Sequence, residues 1–313
     1  MATKIEWVRN SDGTAGESWN PIRARRKSDD KAGWFCTKVS QGCTHCYSER
    51  MNNRLGTGLP YNAASLDEIE IFLDEKVLER PLHWRKPRTV FVMSMGDLFH
   101  ESVSEERILR VFDTIAKTPQ HIYQILTKRP NRMKWIVKQI EDYQYNRFDN
   151  LLPNVWLGTS IENQAAADER IPLLLQTPAA VRFVSAEPLL EEIDLTHLYG
   201  HISFGDRVDL TVDALSGKYV PAWAGRKAKP DTLLSKIDVG KLDWVICGTE
   251  SGPGARPWDW DWIRNLRDQC QVARVPFFLK QVTVDGKKVP LPELDGRTWS
   301  EMPGQAQEVE VEG

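Results

Sequence analysis

The chain predicts an α/β fold, a partial TIM-like (β/α) barrel with a surface insertion, on three observations. Six short runs rich in β-branched and aromatic residues recur along it. Amphipathic stretches with helical spacing lie between them, and each run gives way at once to polar residues. Such alternation points to parallel βαβ units rather than a sandwich. A length of 313 residues suits one barrel domain, expected over residues 1–304.

The strand runs lie at 89–93, 121–126, 155–158, 181–184, 243–246 and 276–279. Ser104 is placed to cap a helix whose first turn carries Glu105 and Glu106. Ile108, Val111, Phe112 and Ile115 then recur on one face, and Pro119 lies beyond its end. Residues 163–175 and 258–273 read the same way. Residues 199–240, rich in Gly, Pro, Lys and Asp, break the rhythm and suggest a surface insertion or lid. An acidic tail without core residues is expected at 305–313.

Composition narrows the function classes. Lys and Arg number 41 against 44 Asp and Glu, a net charge of −3, and 41% of residues are hydrophobic, which excludes a disordered or collagen-like chain. No apolar run is long enough to span a bilayer, and the first residues lack the apolar stretch of an export signal, so a cytoplasmic location is expected. A polyanion contact would have to be local, and the densest positive charge is Arg23, Arg25, Arg26 and Lys27.

Five cysteines are an odd number for a disulfide framework. Three of them form Cys36-x6-Cys43-x2-Cys46. Three thiolates on one loop leave a four-coordinate metal one ligand short. A four-iron cube held by three cysteines keeps one iron open to a small molecule, the arrangement used to bind and reductively cleave S-adenosylmethionine (SAM). A zinc site, requiring an outside ligand, and three unremarkable thiols are the alternatives. Cys247, in a strand run, and Cys270, on an apolar helix side, read as small buried hydrophobes.

The polar residues after each run share one rim if the strands form a parallel barrel. They include Met95-Gly96-Asp97, Lys128 with Arg129, Glu162, Glu187, Glu250 and Lys280. At Gly96 the backbone can approach a ligand, and the Asp97 carboxylate can pair an amino group. Glu162, Glu187 and Glu250 are candidates for an amine, a ribose or substrate, and Lys128 with Arg129 for a carboxylate or phosphate. Ordinary surface ion pairs are the alternative for each.

Ser18-Trp19-Asn20-Pro21, Gly33-Trp34-Phe35-Cys36, Gly42-Cys43-Thr44-His45-Cys46-Tyr47, Leu126-Thr127-Lys128-Arg129-Pro130, Ser185-Ala186-Glu187-Pro188 and Gly248-Thr249-Glu250-Ser251-Gly252 together resemble a phage- and prophage-associated family of three-cysteine, radical-SAM-like proteins. The likeness runs from about residue 3 to 304. Here the link between Asn20-Pro21 and the first cysteine is expanded, and Gly96 stands where that family is expected to have a polar residue. The resemblance implies a barrel of radical-SAM type with a [4Fe–4S] cluster on Cys36, Cys43 and Cys46, carried on a loop at 33–47. It further implies SAM at the turn Met95-Gly96-Asp97, and a phage or prophage gene expressed in a bacterial host.

The leading functional expectation is therefore a radical-SAM enzyme that releases a 5′-deoxyadenosyl radical. It would modify or repair a nucleic-acid base or nucleotide, with Arg23, Arg25, Arg26 and Lys27 on the phosphates and a reductase or flavodoxin-type protein as electron donor. The substrate step rests on analogy alone. The alternatives are a non-catalytic zinc- or cluster-stabilised module that binds another phage-encoded protein, and a hydrolase using the rim carboxylates.

Overall fold

The computed structural model describes residues 2–144, 153–204, 206–221, 240–252 and 254–304. One eight-stranded sheet curls into a half-barrel. Its strands are β1 (Glu17–Trp19), β2 (Thr89–Val92), β3 (Ile122–Thr127), β4 (Val155–Ile161), β5 (Val181–Ala186), β6 (Trp244–Gly248), β7 (Phe277–Val284) and β8 (Lys287–Pro290). They lie in the sheet in chain order. Neighbours from β1 to β7 are parallel, and β8 folds back antiparallel on β7. All six anticipated strands are present.

Five helices matter for the site: α1 (Tyr47–Leu55), α2 (Glu105–Ala116), α3 (Pro130–Gln144), α4 (Gln164–Leu175) and α5 (Trp260–Ala273). Helix α2 starts where the Ser104 hydroxyl accepts the Arg107 amide, and α4 where Asn163 accepts that of Ala166. Helix α5 starts later than position 258 because Asp259 takes the cap, accepting from the Asp261 amide. Helices α2 to α5 form the crossovers β2–β3, β3–β4, β4–β5 and β6–β7, so parallel pairing follows from the alternation.

Side-chain alternation divides the core in two. On the helix-covered face Val90, Val92, Tyr123, Ile125, Leu157, Val184, Val245 and Leu279 join the main core with Ile108, Val111, Phe112 and Ile115 of α2. On the concave face Phe91, Phe183, Trp244, Ile246 and Phe278 pack with Trp7 and Val8 of the N-terminal segment. The Trp7 ring lies 4.8 Å from Phe91 and 6.0 Å from both Phe183 and Trp244. This aromatic layer fills the lower part of the concavity. Toward the C-terminal ends of the strands the same alternation brings Lys128, Ser160, Glu162, Ser185, Glu187 and Lys280 to the concave side.

Two regions depart from expectation. The segment carrying the basic run is a small antiparallel sheet, in which Ile22–Arg26 pairs with Ala32–Gly33 and Ile69–Leu73. The insertion begins as three antiparallel strands, Leu198–Phe204, Asp206–Asp213 and Lys218–Pro221. It is anchored by Leu198, Val212 and Leu215 in the main core, so it is more than a surface lid. Residues 222–239 of the insertion, and the tail at 305–313, lie outside the described residues. Among the described residues no helix is long and apolar enough to cross a membrane.

Candidate functional site

The chain leaves β1, forms the small sheet, and then crosses the rim of the half-barrel as the cysteine loop before entering α1. Cys36, Cys43 and Cys46 are free, half-buried thiols. Cys43 ends a 3-10 turn, Gln41–Cys43, and Cys46 is the N-cap of α1. The nearby amides of Ser48 and Glu49 ease ionisation of the Cys46 thiol, though neither makes a cap hydrogen bond to its sulfur. Cys36 and Cys46 both pack against the cluster of Ala24, Phe35, Tyr61 and Ile69. Burial, with the charge of Asp97 and despite Arg129, pushes the Cys36 thiol up to about 12; burial also raises Cys46. Charge on Cys43 or Cys46 opposes ionisation of Cys36, so the three sulfurs share one electrostatic environment. Among the described residues, no group of three or more His, Cys, Asp or Glu is arranged to hold a single metal ion.

The rim clamps this loop strand by strand. Beyond β2, the Ser94 carbonyl accepts the Tyr47 hydroxyl, and the Met95 carbonyl accepts those of Ser48 (2.6 Å) and Tyr61 (2.9 Å). Beyond β3, Arg129 approaches Cys36 Sγ through Nη1 at 3.8 Å and donates from Nη2 to Thr37 Oγ1 at 2.8 Å. His100 Nε2 meets the same hydroxyl at 2.9 Å. Beyond β4, Glu162 interacts with the Ser40 hydroxyl. A Cβ on Gly42 would lie 2.6 Å from Lys128 Nζ and 3.1 Å from the Glu162 carboxylate, so the loop lies close against that pair and a larger residue there would displace the lysine head. Beyond β6, Glu250 holds His45 Nδ1 at 3.0 Å, turning the ring toward that carboxylate.

The structure brings the anticipated rim residues together, but as ion-paired groups. Gly96 lies against the Phe35 carbonyl. Asp97 accepts from Thr127 Oγ1 at 2.7 and 2.9 Å, from the amides of Phe99 and Lys128, and from Arg129 Nη1 at 3.0 Å. With these donors around it, the carboxylate positions the β3 loop and Arg129. Lys128 Nζ lies 3.2 Å from Glu162, which also binds Arg170 at 3.0 Å. Burial of Glu162 opposes ionisation, but Lys128, Ser40 and Arg170 outweigh it and lower its pKa. Glu187 pairs with Lys280 at 2.9 Å and accepts from Ser185 at 2.8 Å. Burial works against Glu250 too, yet Arg256 and His45 bring its pKa down to about 2.

The basic run is engaged locally. Arg23 pairs with Asp74 at 3.2 Å, and the Arg25 guanidinium stacks over Phe72 at 4.6 Å. Arg26 pairs with Asp29, and Lys27 donates to the Asp67 carbonyl at 2.9 Å. Cys247 and Cys270 are fully buried in the core. The sequence pattern did not single out Ser40, His100 or Arg256, and Arg129, expected with Lys128 to hold a carboxylate or phosphate, is instead paired with Asp97 and Glu101. His100 and Arg256 act through contacts across the fold that no local spacing announces.

The family described as "Protein of unknown function (DUF5131)" matches residues 2–303. The chain belongs to that family. This corrects the resemblance drawn above: the family covering nearly the whole chain has no assigned function, and no radical-SAM family matches. No curated protein and no solved structure matches the chain.

Proposed function

We propose that Cys36, Cys43 and Cys46 hold a [4Fe–4S] cluster and that the protein is a cytoplasmic enzyme that reductively cleaves SAM. One observation carries this reading. Three free thiols lie on a single loop clamped across the C-terminal rim of a parallel half-barrel, where sites are built in such folds.

The donor set fits the group. Each sulfur has a polar group nearby: Arg129 at Cys36, the Ser40 hydroxyl 3.9 Å from Cys43, and two helix amides near Cys46. Such partners stabilise sulfur ligands carrying negative charge. One zinc ion would need thiolates about 3.8 Å apart, from Zn–S bonds of about 2.3 Å, whereas a four-iron cube takes sulfurs set further apart. The imidazole nearest in sequence, His45, is turned to Glu250.

When bound, the cluster supplies one electron to the SAM sulfonium, an electron that an external reductase or flavodoxin-type donor must provide. This chain's residues bind and orient. Arg129 with Thr37 fixes the Cys36 end of the loop, and the enclosed Lys128–Glu162 pair beneath Gly42 fixes its middle. Anaerobic reconstitution, then SAM with dithionite and chromatography for 5′-deoxyadenosine, tests the reading. Product above a cluster-free control is expected. A fully loaded protein that forms none would overturn the SAM assignment.

A further inference from the structure

We propose that the Glu187–Lys280 pair is a recognition site for the α-amino-acid end of a small substrate, its ammonium at Glu187 and its carboxylate at Lys280. The inference deepens the proposed reading of this rim and rests on it for the identity of the site as a substrate site.

Strand alternation puts both residues on the concave side. Ser185 follows Phe183 at an interval of two on β5, with Glu187 just past the strand's end, and Lys280 follows Phe278 in the same way on β7. They therefore stand above the aromatic layer formed by those two rings. Tyr47, next to Cys46, is near enough to feel the Glu187 charge. A Cβ on Gly248 would lie 2.6 Å from Glu187 Oε1. The glycine in the strand between them leaves room for the carboxylate to meet Lys280.

The pair differs from its counterpart on the other side of the rim. Glu162 is held by Lys128, Arg170 and Ser40 together and is 1% exposed, whereas Glu187 and Lys280 are 14% and 18% exposed. Beyond Lys280, Glu187 has the Ser185 hydroxyl. Of the two rim carboxylates, Glu187 is therefore the more accessible to a ligand. Charge then selects the ligand. A phosphate drawn to Lys280 would lie against the Glu187 carboxylate, and a simple amine against Lys280. A zwitterion satisfies both groups at once. The basic run expected to hold nucleic-acid phosphates has partners of its own, and the charge pattern of the Glu187–Lys280 pair favours amino-acid-like molecules.

The test is saturation-transfer NMR and calorimetry on the purified full-length protein. The probes are the twenty L-amino acids, the amine and carboxylic-acid analogues of each binder, and 5′-AMP, each with and without SAM. At least one amino acid should bind in the presence of SAM, and loss of its amino or carboxyl group should weaken it at least tenfold. Lys280→Met and Glu187→Gln, both folded by circular dichroism, should each weaken it at least tenfold as well. No binding at 10 mM (about 2.7 kcal/mol), binding indifferent to both substitutions, or complete displacement by SAM would overturn the proposal. So would 5′-AMP binding that is lost in Lys280→Met and kept in Glu187→Gln. These measurements need no cluster, so failure to form 5′-deoxyadenosine would sink the proposed reaction while leaving amino-acid binding as a separate result.

Discussion

Asp97→Asn is expected to damage the fold and the cysteine loop together. The Asp97–Arg129 pair is almost fully buried, at 7% and 6% exposure, with Nη1 to Oδ2 at 3.0 Å. Asparagine keeps one carbonyl oxygen but places an amide donor where a carboxylate oxygen accepts, leaving the guanidinium charge poorly compensated. Removing one partner of a buried pair costs about 3–5 kcal/mol. Because Arg129 retains Glu101 at 2.8 Å, the lower end, about 3 kcal/mol, is expected. With a urea slope of about 3 kcal/mol/M, the unfolding midpoint should fall by about 1 M. Arg129 also approaches Cys36 Sγ and binds Thr37, so iron retained after anaerobic reconstitution should fall as well. In a double-mutant cycle with Arg129→Met the two changes should couple by about 2 kcal/mol. A loss below about 0.5 kcal/mol, the level of an ordinary surface change, or a coupling near zero, would refute the view that Asp97 positions Arg129.

Trp7→Ala should destabilise by about 3–5 kcal/mol, the cost of emptying a large buried aromatic site; a smaller loss in urea unfolding would show that the aromatic layer of the concave face is not a core. His100 is 3% exposed, and burial together with Arg129 lowers its pKa to about 4. Its folded value lies below the unfolded value of about 6.5, so the unfolded chain binds the extra proton. The stability associated with neutral His100 is complete above pH 6.5 and is lost as pH falls toward 4. Urea midpoints measured from pH 7.5 to 4.5 should therefore fall more steeply for the native protein than for His100→Asn, and equal slopes would contradict the assignment.

The parallel core was legible because its signals are local. Val90, Val92, Ile125 and Leu157 sit in short apolar runs, and Ser104 and Asn163 announce their helices through caps. Strands β1 and β8 were not legible. The first is three residues long, and the second, Lys287–Pro290, is exposed throughout, so neither carries an apolar pattern. The basic run looked like free charge because its partners Phe72, in a strand, and Asp74, just past that strand's end, lie about fifty residues away in the chain. At the rim, strand-end position identified Asp97, Lys128, Glu162, Glu187 and Glu250. Their pairing was hidden, since it depends on curvature and on a loop whose clamps at Gly42 and His45 are contacts between distant segments.

The account stands most directly on iron and acid-labile sulfide per chain after anaerobic reconstitution, measured for the native protein and for Cys36→Ala, Cys43→Ala, Cys46→Ala, Cys247→Ala and Cys270→Ala. It predicts about four of each per native chain, with a brown chromophore that is lost in each of the first three variants and kept in the last two, whose thiols are buried in the core. A native protein that takes up zinc and no iron, or a Cys43→Ala protein that retains the full iron content, would contradict it.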